Sequence, residues 1–228
     1  MITAQELAEK YRGATIAIIG NGPSGHADFG DIEYPIWTCN GGWERIKNVE
    51  LGWVMDDIHG PALRSMSNYD IPDPNYADHL LSILEAPVPI VTSCAYREQY
   101  PDNRNLIEFP LEDGLRYYGM TKDGSEPYFD ETINYMVAWA IMIGVRKIFL
   151  FGCDYQGVRP SERASLEFWC GFARGRGIGI GFSRWSHTLK TQDLDGINRH
   201  VPGIYGYLPQ NVPVPYETKP DGSVRFQI

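Results

Sequence analysis

A β-branched, apolar run, Thr15-Ile16-Ala17-Ile18-Ile19, empties directly into Gly20-Asn21-Gly22-Pro23-Ser24-Gly25. A short unbroken apolar stretch closed by turn residues predicts a buried strand. The same pattern returns downstream. Pro35–Cys39 predicts a second strand stopped by Asn40-Gly41-Gly42, and Gly52–Met55 a third ending on Asp56-Asp57. Leu80, Leu81 and Leu84 have helical spacing and predict a helix over Tyr76–Glu85. Pro89–Thr92 then predicts a strand and Asn105–Pro110 an edge strand, whereas Glu112–Tyr128, rich in Gly, Asp, Lys and Tyr, reads as a loop. Asp130–Ile143 predicts a long apolar helix, capped at Glu131 or Thr132 and ended by Gly144. Lys147–Phe151 follows as a buried strand that stops at Gly152-Cys153-Asp154-Tyr155. Ser161–Arg174 is then an amphipathic helix and Gly177–Phe182 a glycine-rich strand. Ahead of the first strand, Met1–Arg12 predicts a polar amphipathic helix with Leu7 and Tyr11 on one face. After Trp185 the chain is turn-rich, with Pro202, Pro209, Pro213, Pro215 and Pro220, and is expected to wrap the surface.

Strands alternating with helices predict an α/β fold: a single Rossmann-like domain with a mostly parallel sheet flanked by helices. Its expected core spans about residues 13–190, with an irregular Pro/Gly-rich extension over 191–228. Ligands of such sheets bind outside the carboxyl ends of the strands. That rule selects the Gly20–Gly25 turn, Asn40, Asp56, Asp57, Ser93, Asp154, Tyr155 and the Ser183–His187 segment.

A length of 228 residues suits one domain with a full core, and no apolar run approaches the ~18 residues of a membrane span. The N-terminal segment lacks the basic-then-apolar layout of a secretory leader. Cys39, Cys94, Cys153 and Cys170 show no C-x-x-C spacing, and three lie in apolar surroundings, which points to buried thiols and a cytoplasmic setting. A net charge of −9 disfavours nucleic acid as the partner. The one basic cluster, Arg159, Arg163, Arg174, Arg176 and Arg184, reads as solvated helix faces. No Cys/His metal spacing, G-x-S-x-G elbow or Walker lysine is present.

The spacing Gly20-x-Gly22-x-x-Gly25 is that of a dinucleotide loop, in which glycines permit φ > 0 and turn backbone N–H groups toward a phosphate. Two features argue against a flavin or nicotinamide. His26-Ala27-Asp28-Phe29-Gly30-Asp31 is a poor helix start, and Asn40 stands where a ribose-binding acid is needed. Asn21 and Asn40 suit left-handed turns, and as a pair at adjacent strand ends they also offer carboxamides to phosphate, ribose or base. Asp56 and Asp57 either cap the next turn or offer oxygens to Mg²⁺. Asp154 ends a buried strand, so it must be solvated by a crevice or paired. His187, at a strand end beside Ser186 and Arg184, is the candidate general base.

The Gly20-Asn21-Gly22-Pro23-Ser24 turn, Cys39-Asn40, Thr132–Gly144 and Ile148–Tyr155 together resemble glycosyltransferase family 42, the bacterial sialyltransferases. They also resemble the related MptE-like superfamily, which includes archaeal 6-hydroxymethylpterin diphosphokinases and phage proteins. The first resemblance implies a nucleotide-sugar donor as substrate, no tightly bound cofactor and no required metal. By motif it places Asn21, Ser24, Asn40 and Thr132 on the nucleotide, Tyr155 at the leaving phosphate and His187 as base. The second implies a diphosphokinase that uses ATP and Mg²⁺, with Asp56, Asp57 or Asp154 as ligands. A third possibility is a nucleotide-binding accessory protein without catalysis. The chain departs from the sialyltransferases at Tyr128-Phe129-Asp130, where they carry an arginine, and in having a single tyrosine near Asp154.

Overall fold

Continuous apolar runs form the centre of the sheet because both of its faces are covered there. The computed structural model describes residues 3–22, 25, 32–56, 76–121, 129–155, 160–183, 186, 188–189, 216–218 and 224–226. Its strands are β1 (Thr15–Ile19), β2 (Ile36–Cys39), β3 (Val49–Val54), β4 (Ile90–Thr92), β5 (Leu106–Glu108), β6 (Lys147–Phe151) and β7 (Gly179–Phe182). They pair in parallel throughout, in the order β5-β4-β3-β2-β1-β6-β7. Every residue of β1 and β2 is buried. The α/β, Rossmann-like architecture expected from the alternation is the one observed.

The helices are α1 (Ala4–Tyr11), α2 (Tyr76–Leu84), α3 (Cys94–Gln99), α4 (Leu111–Tyr118), α5 (Thr132–Ile143) and α6 (Pro160–Gly175). Helix α5 is apolar nearly all round and is buried accordingly, packing on β3, α1, α4 and α6. Its Trp139 meets Trp37 of β2 and Trp53 of β3 at ring-centroid distances of 5.5 and 5.3 Å. Tyr11 of α1 closes this group edge-on against Trp37. The predicted face of α1 is therefore real: Leu7 and Tyr11 are both buried, and a Thr3/Glu6 capping box starts the helix.

Three expectations need correction. The loop expected over Glu112–Tyr128 contains α4, which has Glu112 and Asp113 in its first turn and Arg116 in its last, as the helix dipole favours. Tertiary contact supplies what its polar sequence concealed. Leu115 is buried, and the Tyr118 hydroxyl donates to the Ala138 carbonyl of α5. Strand β3 starts at Val49 rather than Gly52, because Glu50, which broke the apolar pattern, is held by Lys10 (2.6 Å) and the Tyr11 hydroxyl (3.3 Å). Helix α3 was not anticipated at all.

The chain divides into two compact units, Met1–Leu189 and Lys190–Ile228. The second, expected to be irregular, contains an antiparallel pair, β8 (Tyr216–Thr218) with β9 (Val224–Phe226). Among the described residues no helix is long and apolar enough to cross a membrane.

Candidate functional site

Strand order reverses between β1 and β6, and a parallel sheet opens a crevice at the carboxyl ends of such a pair. The turns that follow β1 and β6 meet there in close contact. The amides of Gly20 and Gly22 donate to the carbonyls of Phe151 and Gly152, each at 2.8 Å, and Gly25 donates to Gly22 at 2.9 Å. A Cβ on Gly20 or Gly22 would lie 2.6 Å from the Gly152 oxygen. These glycines therefore serve turn-on-turn packing. Their N–H groups are satisfied within the protein, and none of the three has a left-handed φ, which corrects the expectation of an N–H cradle for phosphate. The left-handed residue at this junction is Gly152 (φ +63°), whose Cβ would lie 2.3 Å from the Gly20 oxygen.

Beside this junction lies a cleft of about 430 Å³. Asn21, Gly22, Asn40, Asp56, Thr132, Asp154 and Tyr155, all selected from the sequence, line it. Asn40 has the left-handed backbone foreseen for it (φ 45°), and its Nδ2 donates to Asp56 Oδ2 at 2.9 Å. Its Oδ1 is buried without a hydrogen-bond partner among the described residues. Asn21 donates to the Asn40 carbonyl at 3.4 Å, while Arg45 donates to Asn21 Oδ1 at 2.5 Å. The Tyr96 hydroxyl donates to the Asp56 carbonyl at 3.0 Å. Arg45 and Tyr96 thus orient site residues without a sequence signal of their own.

The other wall is the start of α5. Thr132 is only 4% exposed, and its Oγ1 has no hydrogen-bond partner among the described residues. Glu131 occupies the N-cap position, but its side chain makes no cap bond to the helix. It accepts instead from the hydroxyl of Tyr155, a residue held at a φ of 52°. Asp154 is 6% exposed, and one of its carboxylate oxygens would lie 2.7 Å from a Cβ on Gly22. Ser186 and Thr188 donate to the Cys153 carbonyl at 3.0 and 2.8 Å and so fix the backbone beneath Asp154.

Cys39 and Cys153 also line the cleft. Burial, with the Glu131 charge behind it, pushes the Cys39 thiol up to about 12 and the Cys153 thiol well above its ordinary value. Neither supplies a thiolate nucleophile near neutral pH. Asp130 and Glu162 join Asp56, Glu131 and Asp154 in the lining, which has no lysine or arginine among the described residues. No group of three metal-ligating side chains is preassembled among the described residues. A cation entering here would take much of its coordination from the ligand and from water.

Some predicted residues are not brought into this lining. Gly20 and Gly25 are buried behind it, and Ser93 and Ser183 stand elsewhere at strand ends. Pro23, Ser24, Asp57, Arg184 and His187 lie outside the described residues. Glu131 was noticed only as a cap, and Gly152 only as a strand stop; their places between the predicted helix, the predicted strand and the site were the available signal.

No family model matches the sequence, and no curated protein matches it. Solved structures that resemble it include sialyltransferases. CstII from Campylobacter jejuni, in complex with the substrate analogue CMP-3FNeuAc, is 18% identical with a TM-score of 0.45, covering 74% of this chain and 79% of that one. The monofunctional α-2,3-sialyltransferase Cst-I from Campylobacter jejuni is 18% identical with a TM-score of 0.48, covering 74% and 75%. CST-II in complex with a trisaccharide acceptor and CMP is 18% identical with a TM-score of 0.43, covering 74% and 80%. At these values they carry no statement about this chain's ligand or activity, which rest on its own cleft.

Proposed function

We propose that the cleft binds a nucleotide and that the protein transfers a glycosyl group from a nucleotide-sugar donor to an acceptor hydroxyl. The observation that carries this reading is the gathering of Asn21, Asn40, Asp56, Thr132, Asp154 and Tyr155, from five separate chain segments, around one cleft at the β1/β6 reversal. Asn21, Asn40, Asp56 and Thr132 bind the nucleotide in this reading, while Asp154 and Tyr155 stand near the bond that breaks. The amides of Gly20 and Gly22 hold the turn after β1 against the turn after β6 beside the cleft. In the transfer, the bond from the anomeric carbon to the phosphate oxygen breaks and its electron pair leaves with the nucleotide. The acceptor oxygen forms the new bond to that carbon and gives its proton to a base, the role assigned to His187. The donor is a substrate, and no tightly bound cofactor is required.

A Mg²⁺-dependent diphosphokinase is the second reading, favoured by the carboxylate-lined wall. Mg²⁺ is commonly held by one or two carboxylates together with substrate phosphates. Thermal unfolding with CMP, UDP, GDP and ATP, each with and without Mg²⁺, separates the two. A ligand at 100 times its Kd adds about 2.7 kcal/mol of stability, a shift readily seen. Glycosyl transfer predicts a shift with at least one nucleotide in the absence of Mg²⁺. Stabilisation by ATP with Mg²⁺ alone overturns that reading for the diphosphokinase, and no response to any nucleotide overturns both. With the nucleotide that responds, His187→Ala should abolish hydrolysis of the corresponding sugar donor and leave the shift intact; surviving hydrolysis removes His187 from the mechanism.

A further inference from the structure

The hydrogen-bonding inventory of the cleft is lopsided. Asn21 donates one hydrogen bond to the Asn40 carbonyl and Asn40 one to Asp56, while Tyr155 gives its single phenolic proton to Glu131. Asn40 Oδ1 has no partner among the described residues, and a carboxylate can accept up to about four hydrogen bonds in all. Thr132, 96% buried on the count of its 4% exposure, brings an unpartnered hydroxyl to the same wall. A wall of this kind complements a ligand rich in donors. A sugar, whose hydroxyls donate, is such a ligand.

Glu131 is the best placed of these acceptors. A helix N-terminus would ordinarily attract a ligand's phosphate. Here the chain sets its own carboxylate at the start of α5, leaves it out of the cap and holds it with Tyr155. Tyr155 adopts a left-handed backbone, a conformation that costs a bulky residue free energy and clusters at functional sites. We propose that Glu131 binds a ribose hydroxyl of the nucleotide, with Tyr155 as the positioning residue that orients its carboxylate. Because the single phenolic proton is donated to Glu131, Tyr155 acts through that carboxylate instead of donating to the leaving phosphate. The proposal rests on the nucleotide reading above and names the part of the nucleotide that faces α5.

The test compares the ribonucleotide that gives the largest thermal shift, among CMP, UDP, GDP and ATP, with its 2′-deoxy and 3′-deoxy forms. Affinities are measured by calorimetric titration. A hydroxyl donated to a charged acceptor is expected to favour the ribose form by about tenfold or more over at least one deoxy form. Glu131→Ala should bring that ratio close to one. Glu131→Gln keeps an acceptor for Tyr155, and so preserves the fold, but should lower the ratio severalfold; Tyr155→Phe should lower it less. A ratio near one in the unmodified protein, or one unchanged in Glu131→Gln, overturns the proposal while the nucleotide reading stands. Loss of affinity for ribose and deoxyribose forms alike gives Glu131 a structural role only and also overturns it. If none of the four ribonucleotides binds, the nucleotide reading fails and the proposal with it.

Discussion

The turns after β1 and β2 look alike in sequence, each a short mixture of glycine and asparagine after an apolar strand. Yet Gly41 of the second is required for a different reason from Gly20 and Gly22 of the first, while Gly42 packs against Thr38. After β1, Gly20 and Gly22 are required because another backbone, that of Gly152, lies against them. After β2, Gly41 adopts a φ of +80° with nothing within 4 Å of its would-be Cβ, so only its backbone conformation demands glycine. The first turn spends its amides on the β6 turn, and the second presents the Asn40 side chain to the cleft. A glycine-rich loop beside a ligand cleft is therefore not by itself a ligand cradle. Close packing of two turns asks for the same residue.

Substitution at the two kinds of position measures that difference. Gly152→Ala combines a left-handed backbone with a Cβ 2.3 Å from the Gly20 oxygen, so it should destabilise the protein by about 3 kcal/mol or more. Gly41→Ala meets only the conformational penalty and should cost about 1 kcal/mol. Denaturant unfolding of both variants gives the comparison, and equal losses would show that the β1–β6 contact adds nothing.

Ionisation probes the strand end that carries the second turn. Cys39, next to Asn40, has a folded-state thiol pushed up to about 12 from 9.0 by burial. Between those values the unfolded chain releases the proton and the folded chain keeps it, so stability is intact below pH 9 and falls as pH rises toward 12. Each such thiol contributes a slope of about 1.4 kcal/mol per pH unit once the unfolded form is ionised. Cys39→Ala should remove one such contribution from the stability measured by denaturant unfolding between pH 9 and 10.5. An unchanged slope would mean that this strand end is open to water.

The sequence made some of this legible and hid the rest for identifiable reasons. Strands β1 and β6 and helix α5 are predominantly apolar segments, and their extents agree with the pattern to within a residue or two. Helix α4 was hidden because it is polar on average and carries Gly114 within it, while its tie to the core, the Tyr118 hydroxyl donating to Ala138 of α5, joins residues distant in the chain. In the cleft, strand-end position was enough to bring Asn40, Asp56, Asp154 and Tyr155 to attention. What pattern cannot show is which distant residues meet. Tyr155 with Glu131, and Arg45 with Asn21, are separated by 24 residues in the chain and joined only by the fold.

The central claim is that the cleft at the β1/β6 reversal binds a nucleotide through the side chain presented after β2. Its most direct test is calorimetric titration of the best-stabilising ribonucleotide into the unmodified protein and into Asn40→Gly. Glycine accepts the φ of 45° at that position, so the substitution removes the carboxamide with little change to the turn. The account predicts one site per chain in the unmodified protein and affinity weakened by about tenfold or more in the variant, with unfolding free energy within about 1 kcal/mol. Equal affinity in the two proteins would place the nucleotide elsewhere and contradict it.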